Sequence, residues 1–202
     1  MVYKLIELFL VILCAYIIGS IPTGYLIVKA KTGQDIRTVG SGSTGATNVK
    51  RVLGKKWFFI VMLLDAFKGA LPVILASLFA KSGSFYGIPA VLASVSVIIG
   101  HSKSVFLGFK GGKSVASGVG TILALNWVVG LIIAVIWGTI TYVTKYVSVG
   151  SIIALLISPF LMYFAGAPIA YICYCALGAI YIVYLHRENI QRLIKGNENK
   201  VR

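Results

Sequence analysis

Residues 147–185 read VSVGSIIALLISPFLMYFAGAPIAYICYCALGAIYIVYL, and these 39 residues contain no Asp, Glu, Lys or Arg. A helix crosses the ~30 Å hydrocarbon layer of a bilayer with ~20 apolar residues, so this stretch holds two crossings. Gly166-Ala167-Pro168 supplies the turn between them, since glycine accepts positive φ and proline cannot continue a helix. Working outward, the same reading gives seven apolar segments: Leu5–Val28, Trp57–Ala80, Gly87–Gly100, Ser114–Leu125, Trp127–Thr144, Val147–Ala165 and Pro168–Leu185. A single helix over 114–144 would be ~46 Å long at 1.5 Å per residue, so a break is expected at Asn126-Trp127. The third and fourth segments are short and flank the basic loop His101–Lys113. Short helices around a polar loop suit a site set partly into the membrane, where irregular backbone must line a wet cavity. The fold expected is all-α, a polytopic membrane protein of about seven transmembrane helices. It forms one domain over 1–202, with polar parts at 29–56, 101–113 and 186–202. Five spans with the short pair re-entrant is the other arrangement that fits.

Composition supports this. The chain is 58% hydrophobic and only 12% charged, more apolar surface than one soluble core of 202 residues can bury. Lys and Arg number 19 against 5 Asp and Glu, a net charge of +14. Such a balance is compatible with nucleic acid as a partner. The bases, however, lie between apolar blocks rather than in one stripe, which favours the positive-inside pattern of membrane proteins. One side receives Lys29, Lys31, Arg37, Lys50, Arg51, Lys55, Lys56, Lys103, Lys110, Lys113, Lys145, Arg187, Arg192, Lys195, Lys200 and Arg202; the other has Lys4 and Lys81. The expected orientation therefore has the N-terminus outside, and the C-terminus and the polar loops in the cytoplasm. The apolar run from Leu5 continues through Gly19 and Pro22 to Val28, so the N-terminus does not read as a cleaved signal. Cys14, Cys173 and Cys175 sit inside apolar blocks and read as packing residues, and two His without nearby thiols or carboxylates make no zinc site. No metal or cofactor is expected.

Three polar stretches carry chemistry. Gly40-Ser41-Gly42-Ser43-Thr44-Gly45-Ala46-Thr47-Asn48 has the glycines and hydroxyls of a phosphate-binding nest, with Lys50 and Arg51 directly after it. It formally matches a dinucleotide fingerprint, but no strand precedes it and its acid, Asp65, lies in an apolar span. The loop from Gly100 and His101 to Ser114 ends Lys110-Gly111-Gly112-Lys113-Ser114 at the start of a helix, a favourable place for an anion. It is not a Walker loop, because the first glycine position is Leu107. The third stretch is His186-Arg187-Glu188-Asn189-Ile190-Gln191-Arg192-Leu193, in which His186, Asn189 and Ile190 share a helix face. Some of its bases suit lipid headgroups. Asp65 and Lys68, at i and i+3 inside the second segment, can pair on one face, either as a structural ion pair or as groups that orient the site.

Together GSGSTGATN, GHSKSVFLGFKGGKSVAS and HRENIQRL resemble the three motifs of the bacterial membrane glycerol-3-phosphate acyltransferases that use acyl phosphate, the PlsY family. LLDAFKG around Asp65 is similar too. Family members commonly carry Asn at Ser43, Pro at Ser104, Gly at Ser114 and Arg at Leu185. The resemblance implies a seven-helix fold with a cytoplasmic site. It also implies acyl transfer from acyl phosphate to the 1-hydroxyl of glycerol 3-phosphate, with an upstream enzyme supplying the acyl phosphate. Both substrates carry phosphate, which matches the two nests. On this reading Gly40, Ser41, Gly42 and Ser43 cradle one phosphate, with Thr47 beside them as a further substrate contact. Lys113 with Gly111 and Gly112 holds a second, and Arg51 and Lys110 assist. Asn48 and Asn189 orient oxygens, and His101 and His186 polarise the hydroxyl or donate to an oxyanion, His186 being the first choice. The alternative is a transporter of a phosphorylated solute, using the same nests for binding alone.

Overall fold

The computed structural model describes residues 2–79 and 87–201. The expected end of the second segment at Ala80, and Lys81 and Arg202 of the charge pattern, lie outside the described residues. The described residues hold ten α-helices and no strand: α1 Val2–Ser20, α2 Thr23–Thr32, α3 Ala46–Leu53, α4 Lys55–Phe79, α5 Ile88–Ser102, α6 Val115–Leu125, α7 Trp127–Thr144, α8 Val147–Phe164, α9 Ile169–Leu185 and α10 Arg187–Ile194. Among the described residues, five stretches are long and apolar enough to cross a membrane, namely Leu5–Thr32, Lys55–Leu78, Ile88–Leu107, Trp127–Thr144 and Val147–Phe164. The bent pair α9–α10 makes a sixth. The short fourth segment is α6, an apolar helix of 11 residues, about 16 Å at 1.5 Å each. It stops where expected: the Asn126 side chain accepts from the Val129 N–H at 3.1 Å and starts α7.

The chain divides into two compact units, Met1–Thr121 and Ile122–Arg202. In the first, α4 shows why a helix with two charges belongs in a membrane. Val61, Asp65, Lys68, Gly69, Pro72, Val73 and Ala76 recur at helical spacing on its buried face. Phe59, Leu63, Phe67, Ile74 and Leu78 are exposed on the opposite one, where lipid is the solvent. Small residues set the close approaches. A Cβ on Gly19 would stand 2.5 Å from the Val97 carbonyl oxygen, and one on Gly100 would collide with the Tyr16 carbonyl, so α1 and α5 touch backbone to backbone. Gly69 and Gly120 do the same between α4 and α6, against Ser117 and Ala66.

The first apolar segment is not one helix. α1 ends at Ser20, Pro22 leads into α2, and the chain continues to Thr32. Proline has no N–H to continue the ladder, which leaves carbonyls at the break to be satisfied otherwise. Beyond α2 a small core of Val28, Ile36, Val49 and Val61, all fully buried, joins α2, the short turn Ile36–Thr38, α3 and α4. Each such side chain contributes about 1.5–3 kcal/mol when removed from water. In the second unit α7 packs on α8 and α8 on α9, with the Trp137 indole N–H donating to Ser151 Oγ at 3.2 Å.

Candidate active site

The first glycine loop is built around Asn48. Its amide donates to the carbonyls of Ile36, Val39 and Ser43 at 3.3, 2.9 and 2.9 Å, and its Oδ1 accepts from the Ser41 N–H at 3.1 Å. Sequence reasoning expects Asn48 to orient a substrate oxygen; the buried side chain is instead committed to the loop's own backbone. Gly40 and Gly42 have φ of 60° and 67°. A Cβ on Gly40 would run into Asn48 Oδ1 and lie 3.5 Å from Arg51 Cδ, so Arg51 lies along the loop. The N–H groups of Ser41 and Gly42, expected to face an anion, bond to Asn48 and the Val39 carbonyl. Exposed Ser41 and half-buried Ser43 and Thr47 provide hydroxyls at the loop surface, with Ser43 Oγ accepting from Gly45 at 3.4 Å. At the loop's entry Asp35 accepts four times from Arg37, three from the guanidinium and one from the backbone N–H, at 2.6–3.1 Å. Those hydrogen bonds, foremost the side-chain ones, lower the Asp35 pKa to about 2. Burial, then the neighbouring Lys55, lowers that of Lys50.

The second loop folds back onto the end of α5. The Gly112 N–H donates to the His101 carbonyl at 3.1 Å. A Cβ on Gly111 would strike that carbonyl, and one on Gly112 would strike His101 Nε2. The two glycines are therefore required by packing, and Lys110 and Lys113 flank that packed point, the first exposed and the second half-buried. Phe109 and Ser114 hold positive φ of 62° and 58° without being glycine. Ser114 offsets the strain by donating to the Ile98 carbonyl at 2.9 Å.

His101 is buried, with Nδ1 2.9 Å from Ser117 Oγ and 3.8 Å from Asp65 Oδ1. Ser, His and Asp thus meet, a combination that sequence reasoning does not find because the three positions lie on different helices. They do not form a nucleophilic triad: that needs Ser and Asp on opposite ring nitrogens, and here both face Nδ1. The Lys68 ammonium lies 2.9 Å from Asp65 Oδ1, as the i, i+3 spacing predicts.

In the second unit His186 forms the corner between α9 and α10, which bend by 59°. Its Nδ1 lies 2.8 Å from the Ile182 carbonyl, which can only accept. Nδ1 therefore carries the proton, and in the neutral ring Nε2 carries the lone pair. Asn189 donates to Glu198 Oε1 at 2.6 Å, Ser148 Oγ donates to the same oxygen at 3.0 Å, and Arg192 Nε donates to Oε2 at 2.7 Å. Local sequence pattern does not mark Glu198 as a neighbour of Asn189, which lies nine residues before it. Arg192, one of that stretch's bases, is held by this carboxylate.

The family described as Glycerol-3-phosphate acyltransferase matches residues 9–196. The chain belongs to that family. This acyltransferase is 43% identical to the glycerol-3-phosphate acyltransferase of Nostoc sp. over 204 residues, covering 95% of this chain and 90% of that one. The Gloeobacter violaceus relative of the same name is 46% identical over 188 residues, covering 93% and 91%. A crystal structure of PlsY, an integral membrane glycerol 3-phosphate acyltransferase, in its glycerol 3-phosphate form superposes with a TM-score of 0.91 at 37% identity, covering 97% of this chain and 96% of that one. The lysophosphatidic acid form of PlsY gives 0.87 at 34% identity over the same shares. The acyltransferase is therefore an integral membrane enzyme.

Proposed function

We propose that this enzyme moves an acyl group from acyl phosphate to the 1-hydroxyl of sn-glycerol 3-phosphate, releasing lysophosphatidic acid and phosphate. It would work at the cytoplasmic face of a bacterial cell membrane, with the N-terminus outside and acyl phosphate supplied by an upstream enzyme. The observation that carries the reading is the match to glycerol-3-phosphate acyltransferases from 9 to 196, which takes in both glycine loops and the His186 motif. That span also supports reading residues 1–202 as one acyltransferase domain.

The residues support a mechanism of positioning and charge neutralisation. A mixed anhydride is already activated, so it asks for little covalent help. Two phosphates brought ~6 Å apart at an effective dielectric near 20 repel by about 3 kcal/mol per pair of unit charges. Lys113, beside the Gly111-Gly112 turn, is assigned to neutralise the leaving phosphate, with Lys110 assisting. The hydroxyls of Ser41, Ser43 and Thr47, with Arg51, are assigned to the other phosphate, and Gly40, Gly42 and Asn48 to the shape of that loop. The Nδ1–H tautomer of His186 suits Nε2 to accept the hydrogen bond of the attacking hydroxyl, and Asn189 to contact substrate from the next turn.

The test is purified protein with palmitoyl phosphate and glycerol 3-phosphate, following phosphate release. We expect turnover with that donor and none above background with palmitoyl-CoA. Comparable rates with both donors, or no phosphate release, would refute the reading.

A further inference from the structure

Both glycine loops are tied to one buried cluster that spans α1, α4, α5 and α6 within the first unit. Lys68 Nζ, 2.9 Å from Asp65 Oδ1, also donates to the Ile21 carbonyl at 2.7 Å, at the break between α1 and α2. A cation at the carbonyl end of a helix is favourably placed, and a desolvated ammonium needs such partners. Ser20, next to Ile21, gives its carbonyl to Ser104 Oγ of the second loop at 2.6 Å. Tyr16, one turn earlier, donates to the Lys103 carbonyl at 2.8 Å.

From this break α2 leads to the first loop. Gly24 packs so closely on the Thr44 carbonyl that a Cβ would collide with it, and Thr44 sits in the middle of GSGSTGATN. On its other side Asp65 faces His101 Nδ1 at 3.8 Å, and His101 holds the turn before α6 at Gly112 and the first turn of α6 at Ser117. Its carbonyl accepts from Gly112 at 3.1 Å, its ring covers Gly112, and its Nδ1 meets Ser117 Oγ at 2.9 Å.

The geometry points to Asp65, Lys68 and His101 as positioning residues that fix both phosphate-binding loops from a single buried anchor. Lys68 acts through the α1–α2 break on 40–48, and Asp65 through His101 on 103–114. His101 then serves through Nδ1 and ring packing rather than by touching the reacting atoms. The inference deepens the proposed function, since it assumes that the loops take the substrates' phosphates. Its structural part can nevertheless be read without substrate.

Two measurements test it. The first is hydrogen exchange on purified Asp65→Asn/Lys68→Met, which leaves no orphan charge in the membrane. Amides of both 40–48 and 103–114 should exchange at least ~10-fold faster than in the wild type, with α7, α8 and α9 unchanged, and KM for both substrates should rise more than kcat falls. Faster exchange in one loop only, or unchanged exchange and KM, would overturn the shared anchor. The second decides even where that double variant does not fold. An Asn amide can occupy the place of His101 Nδ1, whereas a Gln amide reaches the place of Nε2. His101→Asn should therefore keep at least ~10-fold more kcat/KM than His101→Gln or His101→Ala. Better rescue by Gln would place His101 at the substrate and sink the positioning role. A wild-type acyl-transfer assay without turnover would instead count against the function, leaving the exchange result to stand or fall separately.

Discussion

Lys113 and His186 are the residues at which the chemistry can be tested one side chain at a time. Lys113→Ala should lower kcat/KM by at least ~100-fold, the size of one strong electrostatic contact. Lys113→Arg should recover little of it, because a planar guanidinium does not replace a compact ammonium beside a Gly-Gly turn. Steady-state kinetics in detergent would check both, and near-wild-type Lys113→Ala would end the charge-neutralisation account. His186 separates two roles. If it only accepts a hydrogen bond, His186→Gln keeps part of kcat; a true base would lose nearly all in either His186→Ala or His186→Gln. It would also impose an acid limb on kcat, with activity falling as Nε2 is protonated. At Gly40 the expectation is structural. Alanine there meets Asn48 Oδ1 at a positive φ, so Gly40→Ala should cost at least about 1–2 kcal/mol of local stability and raise KM for one substrate. Much of this was legible in the sequence, since glycines, hydroxyls and bases cluster in short stretches. What was not legible is which of them serve the loop itself. Asn48 looks like a substrate residue until its amide is seen bonded to three carbonyls, and Ser117 lies 16 residues from His101, a spacing that no local pattern marks.

At the scale of elements, the C-terminal tail depends on one acid. Burial works to raise the Glu198 pKa, but hydrogen bonds from Asn189, Arg192 and Ser148 outweigh it and hold the carboxyl below the ordinary glutamate range. The unfolded tail then binds a proton more readily than the folded one, so stability rises with pH. The contribution is complete above the usual glutamate pKa and is lost as pH falls through the depressed folded value. Acidification should therefore release the segment 195–201 from the α7–α8 turn, where Val201 N–H now donates to the Lys145 carbonyl at 2.7 Å. Glu198→Gln should weaken the same attachment at neutral pH. Trypsin cleavage at Lys195 is the readout, and equal cleavage rates in wild type and variant at pH 7 would refute it. Asn126→Ala should cost about 1 kcal/mol by removing the α7 cap. The Asn126 break was legible because a polar residue before Trp interrupts an apolar run too long for one span. The break at Ile21-Pro22 was not: its carbonyl is satisfied by Lys68, 47 residues away, so the apolar pattern simply runs through it.

For the whole molecule, the distribution of bases predicts an arrangement across the membrane that can be tested. With the loops at 29–56 and 101–113 and the tail in the cytoplasm, single cysteines at Lys50, Lys110 and Lys200 in a cysteine-free variant should resist an impermeant thiol reagent in intact cells. All three should label after the membrane is opened. Labelling of any one from outside would invert the topology. The helical class and the membrane setting were readable from apolar run lengths alone. So was the short fourth segment: α6, Val115–Leu125, lies within the expected Ser114–Leu125.

The buried Asp65–Lys68 pair also bears on how the chain enters the bilayer during synthesis. Both charges fall near the middle of α4, where each costs about 2.5–3.5 kcal/mol to insert, while its Leu, Ile, Phe and Val residues return about 0.3–0.6 kcal/mol apiece. With 13 such residues the two totals nearly cancel. As an isolated segment α4 should thus partition almost evenly between the membrane and the lumen of a translocation assay, and Asp65→Ala/Lys68→Ala should drive it fully into the bilayer. The two charges that anchor the finished enzyme make its second hydrophobic segment a late committer to the membrane, dependent on neighbours that have entered with it.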